Sequence, residues 1–168
     1  MASQGPLYPG TTATSAVAPY DDNDWTNISN IVSDNNSYAS ITIGSFDTND
    51  YSYRVVASNF GFTIPTGATI NGIVVSVGRY YAGGSVADAL VALYNPSTST
   101  QSDNKSAGAT WPTTEGIGSF GGSSDLWGIA WTADALNSAD FAVRFACQAT
   151  GTDSDAYVDY IRVAVYYT

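Results

Sequence analysis

The sequence predicts an all-β fold, a jelly-roll β-sandwich of about eight antiparallel strands, and three observations lead there. The longest strand signal is Ala156 to Tyr167. Tyr157, Asp159, Ile161, Val163, Val165 and Tyr167 fall on one side of a period-two ribbon, and Val158, Tyr160, Arg162, Ala164 and Tyr166 on the other. Both sides are too apolar for open water, so this run is expected to be a central strand that closes the sandwich. Second, short β-branched and aromatic runs recur between Gly, Pro, Asn and Asp turns, with no helices alternating between them. Third, only Thr132–Asn137 looks helical, with Thr132 as N-cap and Asp134 in the first turn.

Taken in order, residues 1–24 are punctuated by Pro6, Pro9, Gly10 and Pro19 and are expected as an extended N-terminal arm outside the strand-bearing part. Tyr8 and Tyr20 are candidate anchors for it. The sandwich domain is then residues 25–168. Its strands are expected at 38–43 and 51–57, followed by an extended piece at 60–64 ended by Pro65 and Gly67. A long strand follows at 68–80 with Ile73, Val75 and Val77 inward, then one at 86–94 ended by Asn95-Pro96. Residues 97–124 are rich in Ser, Gly, Thr and Asn and form a long loop region with one edge strand. Strands at 126–131 and 141–148 precede the final one. Uneven loops and the central last strand favour a jelly roll over an immunoglobulin-like sandwich, which also lacks its Cys–Trp–Cys arrangement here.

Composition narrows the function classes. The 168 residues suit one domain, and charged residues are only 12% of them. The net charge is −10, and Arg54, Arg79, Lys105, Arg144 and Arg162 are scattered singly. A nucleic-acid partner needs clustered Lys and Arg, and an anionic membrane does too, so neither is expected. No stretch reaches the roughly 18 apolar residues of a membrane span. The first residues carry no basic or apolar leader, so a product of the cytosol is expected, or one that leaves it within a larger object. Cys147 is the only cysteine and shares a strand face with Phe141, Val143 and Phe145, which reads as a buried structural thiol.

Catalytic chemistry is sparse. With no histidine, the usual general base and the Ser–His–Asp and Cys–His arrangements are absent. Glu115 is the only glutamate and sits in a turn-like loop, so no enzyme is expected. Asp21-Asp22-Asn23-Asp24, and Asp153 and Asp155 with Asp159, are the acidic clusters to weigh as calcium sites. Neither has the spacing of an EF-hand loop, and both are expected to cap turns, with no metal and no cofactor. Four Trp and twelve Tyr could form a sugar-stacking platform, with Tyr80, Tyr81, Tyr94 and Trp111 as exposed candidates. Trp127 and Trp131, four apart, are expected as a core pair on one strand face. Tyrosines also enrich subunit contacts, and counts alone leave core, interface and sugar site open.

Several segments together resemble a jelly-roll module of bacteriophage virion proteins: Gly5–Gly10, Trp25–Asn27, Ser33–Ala39, Asn59–Ile73, Ala109–Pro112, Asp125–Trp131, Asp140–Val143 and Asp159–Tyr167. That resemblance implies a capsid decoration (cement) protein, a head fibre or a tail-fibre segment, with no catalytic set to carry over. The single module without a coiled-coil shaft points to decoration. The implied protein is a homotrimer on the outside of the virion, binding the major capsid protein through its arm and tyrosine-rich surface and stabilising the shell. A receptor- or glycan-binding module of a fibre or spike is the alternative.

Overall fold

The first strand starts at the second residue of the chain and the last strand ends at its last but one. In the computed structural model, which describes residues 1–42 and 46–168, the first elements are β1 (Ala2–Leu7), β2 (Thr11–Ser15), a 3-10 turn (Ile28–Ile31) and β3 (Ala39–Ile41). There follow β4 (Arg54–Ser58), β5 (Ile70–Ala82), β6 (Val86–Asn95), β7 (Thr100–Gln101) and β8 (Gly116–Gly122). The helix α1 (Ala133–Asn137) precedes β9 (Ala142–Ala149) and β10 (Asp155–Tyr167). Two antiparallel sheets form the sandwich. One runs β1-β10-β5-β8, with β3 beside β1 on the free edge of β10; the other runs β2-β4-β9-β6-β7. We call them sheet A and sheet B.

The core lies between the sheets, as alternation requires. Ile73, Val75 and Val77 of β5 and Ile161, Val163 and Val165 of β10 face Val55, Val91, Leu93, Val143 and Phe145 of sheet B, all fully or almost fully buried. Cys147 lies in the same core. Burial pushes its thiol well above the usual range. Phe141 is packed at one end by Phe60 at 5.7 Å and Trp131 at 5.6 Å. Thr132 caps α1 by accepting from the Ala135 N–H at 3.1 Å, as its sequence predicts.

Several expectations need correction. Residues 2–7 and 11–15 are strands, not a free arm: β1 pairs with β10 and β2 with β4, so the N-terminal segment forms an outer strand in each sheet. The Thr11–Ser15 residues satisfy their backbone groups on an otherwise bare strand edge, which the proline-rich composition did not announce. Residues 126–131 form a turn in which Trp127 takes φ 59 and Gly128 φ 75. Trp127 and Trp131 are nevertheless both buried, their indole N–H groups donating to Ile73 O at 2.9 Å and Leu126 O at 3.0 Å. The loop region 97–124 holds two strands, β7 and β8. Of the predicted 38–43 strand, 39–41 is formed, and Ile43 lies outside the described residues.

A further correction concerns the faces of β10. Its pairing with β5 steps from Val158↔Arg79 to Tyr160↔Gly78, leaving Asp159 as the extra residue of a bulge. The bulge switches parity, so Ala156 and Val158 share the core with Ile161, Val163 and Val165, while Tyr157 turns outward. A second bulge at Ala89 does the same in β6: Val91 and Leu93 point inward, and Leu90, Ala92 and Tyr94 line the outer face. No helix among the described residues is long and apolar enough to cross a membrane.

Candidate functional site

Outside the core, chemistry-bearing side chains gather on the two outer sheet faces. The outer face of sheet B follows from alternation. With Val55, Val143 and Phe145 inward, Arg54, Val56 and Ser58 of β4 and Ala142, Arg144, Ala146 and Gln148 of β9 point outward. Ala142 leaves the floor shallow, so longer side chains around it wall an open cavity of about 420 Å³. Val56, Ser58, Tyr94, Pro96, Ala142 and Arg144 line it, and Asp140 stands on its rim.

Arg144 is the best-held side chain there. Its guanidinium lies 4.2 Å from the Tyr94 ring centroid and donates from Nη1 to Gln101 Oε1 at 3.0 Å. Burial, and then the neighbouring Arg54 charge, lower its proton affinity below the ordinary arginine value. Arg54 sits one strand over, opposite Ser15 in the β2–β4 ladder. Ser15 Oγ and the Nε atoms of Arg54 and Arg144 are all shielded from water and without a hydrogen-bond partner. At the far end Tyr20 packs on Leu90, Ala92 and Ala146 and meets Tyr51 edge-on at 5.7 Å.

The outer face of sheet A carries a tyrosine cluster. Tyr80 and Tyr157, opposite each other on β5 and β10, stack at 4.6 Å with 7° between planes. Tyr38 stands edge-on to both, at 5.1 and 6.1 Å, and donates its hydroxyl to Glu115 Oε2 at 2.8 Å. Burial raises the proton affinity of all three phenols, most of all Tyr38 beside the Glu115 charge. The buried Asp159 of the β10 bulge accepts from the Asn35 and Asn36 N–H groups at 3.4 and 3.2 Å. Asp34, Glu115 and Asp159 each bring an oxygen within 4.8 Å of the others. This trio is the group of described residues that could contribute to a cation site, supplying three of the six or more oxygens calcium takes.

The predicted site residues are therefore divided between places. Tyr80 joins the sheet A cluster, and Tyr8 meets Tyr160 edge-on at 6.0 Å further along that face. Tyr20 and Tyr94 belong to sheet B. Tyr81 packs partly into the core, and Trp111, expected to be exposed, is 2% exposed, its N–H donating to Asp88 Oδ1 at 2.8 Å. Asp24 and Asp22 accept from the Trp25 and Tyr51 N–H groups at 2.8 and 2.7 Å. Asp159 joins Asp34 and Glu115, not Asp153 and Asp155. Sequence reasoning missed Arg54 and Arg144 as a pair because 89 intervening residues separate them and strand order is not written in either segment. Each does occupy the polar side of an alternating run, which is the signal they offer.

No protein-family model matches the sequence, and no curated protein matches it. Solved structures that match this chain include two carbohydrate-binding domains. The CBM22-1 xylan-binding domain from Paenibacillus barcinonensis is 8% identical, with a TM-score of 0.46 over 96% of this chain and 85% of that one. The family 11 carbohydrate-binding module of a cellulosomal cellulase from Clostridium thermocellum is 10% identical, with a TM-score of 0.40 over 99% of this chain and 86% of that one.

Proposed function

We propose that this chain is a non-catalytic glycan-binding module and that the outer face of sheet B is its binding face. The observation that carries this reading is the arrangement of Arg144, Tyr94 and Gln101 beside an open cavity of about 420 Å³. Sugars are recognised by planar polar groups that meet hydroxyls in pairs and by apolar surface under the ring. Tyr94 and Gln101 hold the guanidinium plane from two sides, so little side-chain entropy is lost on binding. Val56, Pro96 and Ala142 supply the apolar surface. A β-sheet face is rigid, so the groups keep their spacing.

Docking on a capsid through a free arm draws no support from the fold, because residues 2–7 and 11–15 are bound into the sheets. The test is a panel of soluble polysaccharides, neutral and acidic, in affinity electrophoresis with wild type and Tyr94→Ala. Retarded migration in at least one polysaccharide, relieved by Tyr94→Ala with unchanged far-UV circular dichroism, is expected. No retardation in any of them refutes the reading.

A further inference from the structure

Five cations stand against fifteen carboxylates in this chain. Arg79 pairs with Asp88, Lys105 with Asp125 and Arg162 with Asp34. Among the described residues Arg54 and Arg144 have no such partner, yet they project from the same face of adjacent strands. In so acidic a chain, two neighbouring guanidiniums left without a carboxylate are a costly arrangement. Each repels the other, and each has its Nε shielded from water with no acceptor. The missing component is an anion with paired oxygens.

We infer that the sheet B face binds a carboxylate-bearing glycan, one built of uronic acid residues, with the sugar carboxylate held between Arg54 and Arg144. This inference rests on the glycan-binding reading of the same face and specifies its ligand class. A guanidinium presents parallel N–H donors that match a carboxylate two by two, and placing one against the pair relieves the repulsion between them. Tyr94 and Gln101 already fix Arg144, so its donors are preset. Asp140 on the cavity rim is the one acidic lining residue, and it orients the chain so that the uronate lies on the Arg54 side. The body charge of −10 opposes long-range approach of a polyanion. At 0.15 M salt that opposition is screened beyond about 8 Å while the contact pair persists.

The experiment is isothermal titration of the full chain with polygalacturonate oligomers and with the same oligomers fully methyl-esterified, at 0.15 M salt. Esterification removes the charge and keeps the sugar. The free acid is expected to bind at least tenfold more tightly, and Arg54→Gln and Arg144→Gln are each expected to weaken it tenfold or more. Asp140→Asn is expected to tighten binding of the acid. Equal binding of acid and ester overturns the uronate inference while leaving a neutral glycan module standing, and wild type alone decides this if a variant misfolds. Equal affinity for poly-L-glutamate overturns it in favour of unspecific carboxylate attraction. Binding of neither oligomer overturns the inference; binding of none of the panel polysaccharides overturns the glycan reading as well.

Discussion

Asp88 accepts both arms of the Arg79 guanidinium, Nε to Oδ1 at 2.9 Å and Nη2 to Oδ2 at 2.5 Å, inside the sandwich where both side chains are almost fully buried. Trp111 donates to the same Oδ1, and the Arg79 guanidinium also lies 5.5 Å from the Trp111 ring and 5.6 Å from Phe120. Removing one member of a buried pair strands the other charge. Asp88→Ala is therefore expected to cost about 3–5 kcal/mol, read from guanidinium unfolding curves. Joint replacement, Arg79→Met with Asp88→Leu, is expected to recover most of that loss. If Asp88→Ala alone is neutral, the pair contributes nothing to the fold.

The N-terminal segment carries the second prediction. Deleting residues 2–15 removes β1 from sheet A and β2 from sheet B, baring the edges of β10 and β4. Leu7 packs on the core, so apolar contact is lost along with the ladders. The truncated chain is expected to melt several degrees lower and to associate more readily, because bare strand edges template pairing. An unchanged melting temperature in calorimetry would show that the segment is only appended to the sandwich.

The fold class was legible because alternation survives in the strands that form the core: β5, β6, β9 and β10 stand within a few residues of their expected positions. What was hidden depends on pairing partners. The bulge at Asp159 cannot be seen in β10 alone, since it exists only where Val158↔Arg79 gives way to Tyr160↔Gly78. The proline and glycine content of residues 1–24 masked two outer strands, whose ladders depend on β10 and β4 and not on local propensity. On the outer face of sheet B, Tyr94 and Tyr20 were singled out by residue type. Its arginines were not, because their proximity arises from the β4–β9 pairing.

Gly78 tests the bulge directly. A Cβ at Gly78 would lie 2.4 Å from the Tyr160 ring, which is itself buried and held by Tyr8 and by the Arg162 guanidinium at 4.7 Å. The ring has little room to withdraw, so Gly78→Ala is expected to cost about 1–3 kcal/mol as an overpacked site. Combining it with Tyr160→Phe should not help, because the clash is with ring carbons. Combining it with Tyr160→Val should recover part of the loss, measured by urea unfolding. Additive losses in that double variant would place the Gly78 effect elsewhere.

Asp125 supplies the pH dependence. The Trp127 N–H donates to its Oδ1 at 2.8 Å and Lys105 Nζ lies 3.0 Å from Oδ2. The backbone bond foremost, and Lys105 after it, outweigh partial burial and hold the carboxyl below the usual aspartate range. A carboxyl whose proton affinity is lower in the folded state adds stability above the unfolded aspartate value of about 3.9, and that stability is lost as pH falls through the folded value. Asp125→Asn keeps an oxygen for Trp127 but drops the charge that Lys105 meets. The variant is expected to be less stable than wild type by roughly 0.5–1 kcal/mol at pH 7, since the ion pair is partly exposed. The difference should shrink as pH falls from the unfolded aspartate value towards the folded one, where the wild-type carboxyl is itself protonated. Urea midpoints at pH 7, 5 and 3 measure it; a gap that stays constant across that range would mean the loss comes from packing around Trp127 and not from charge.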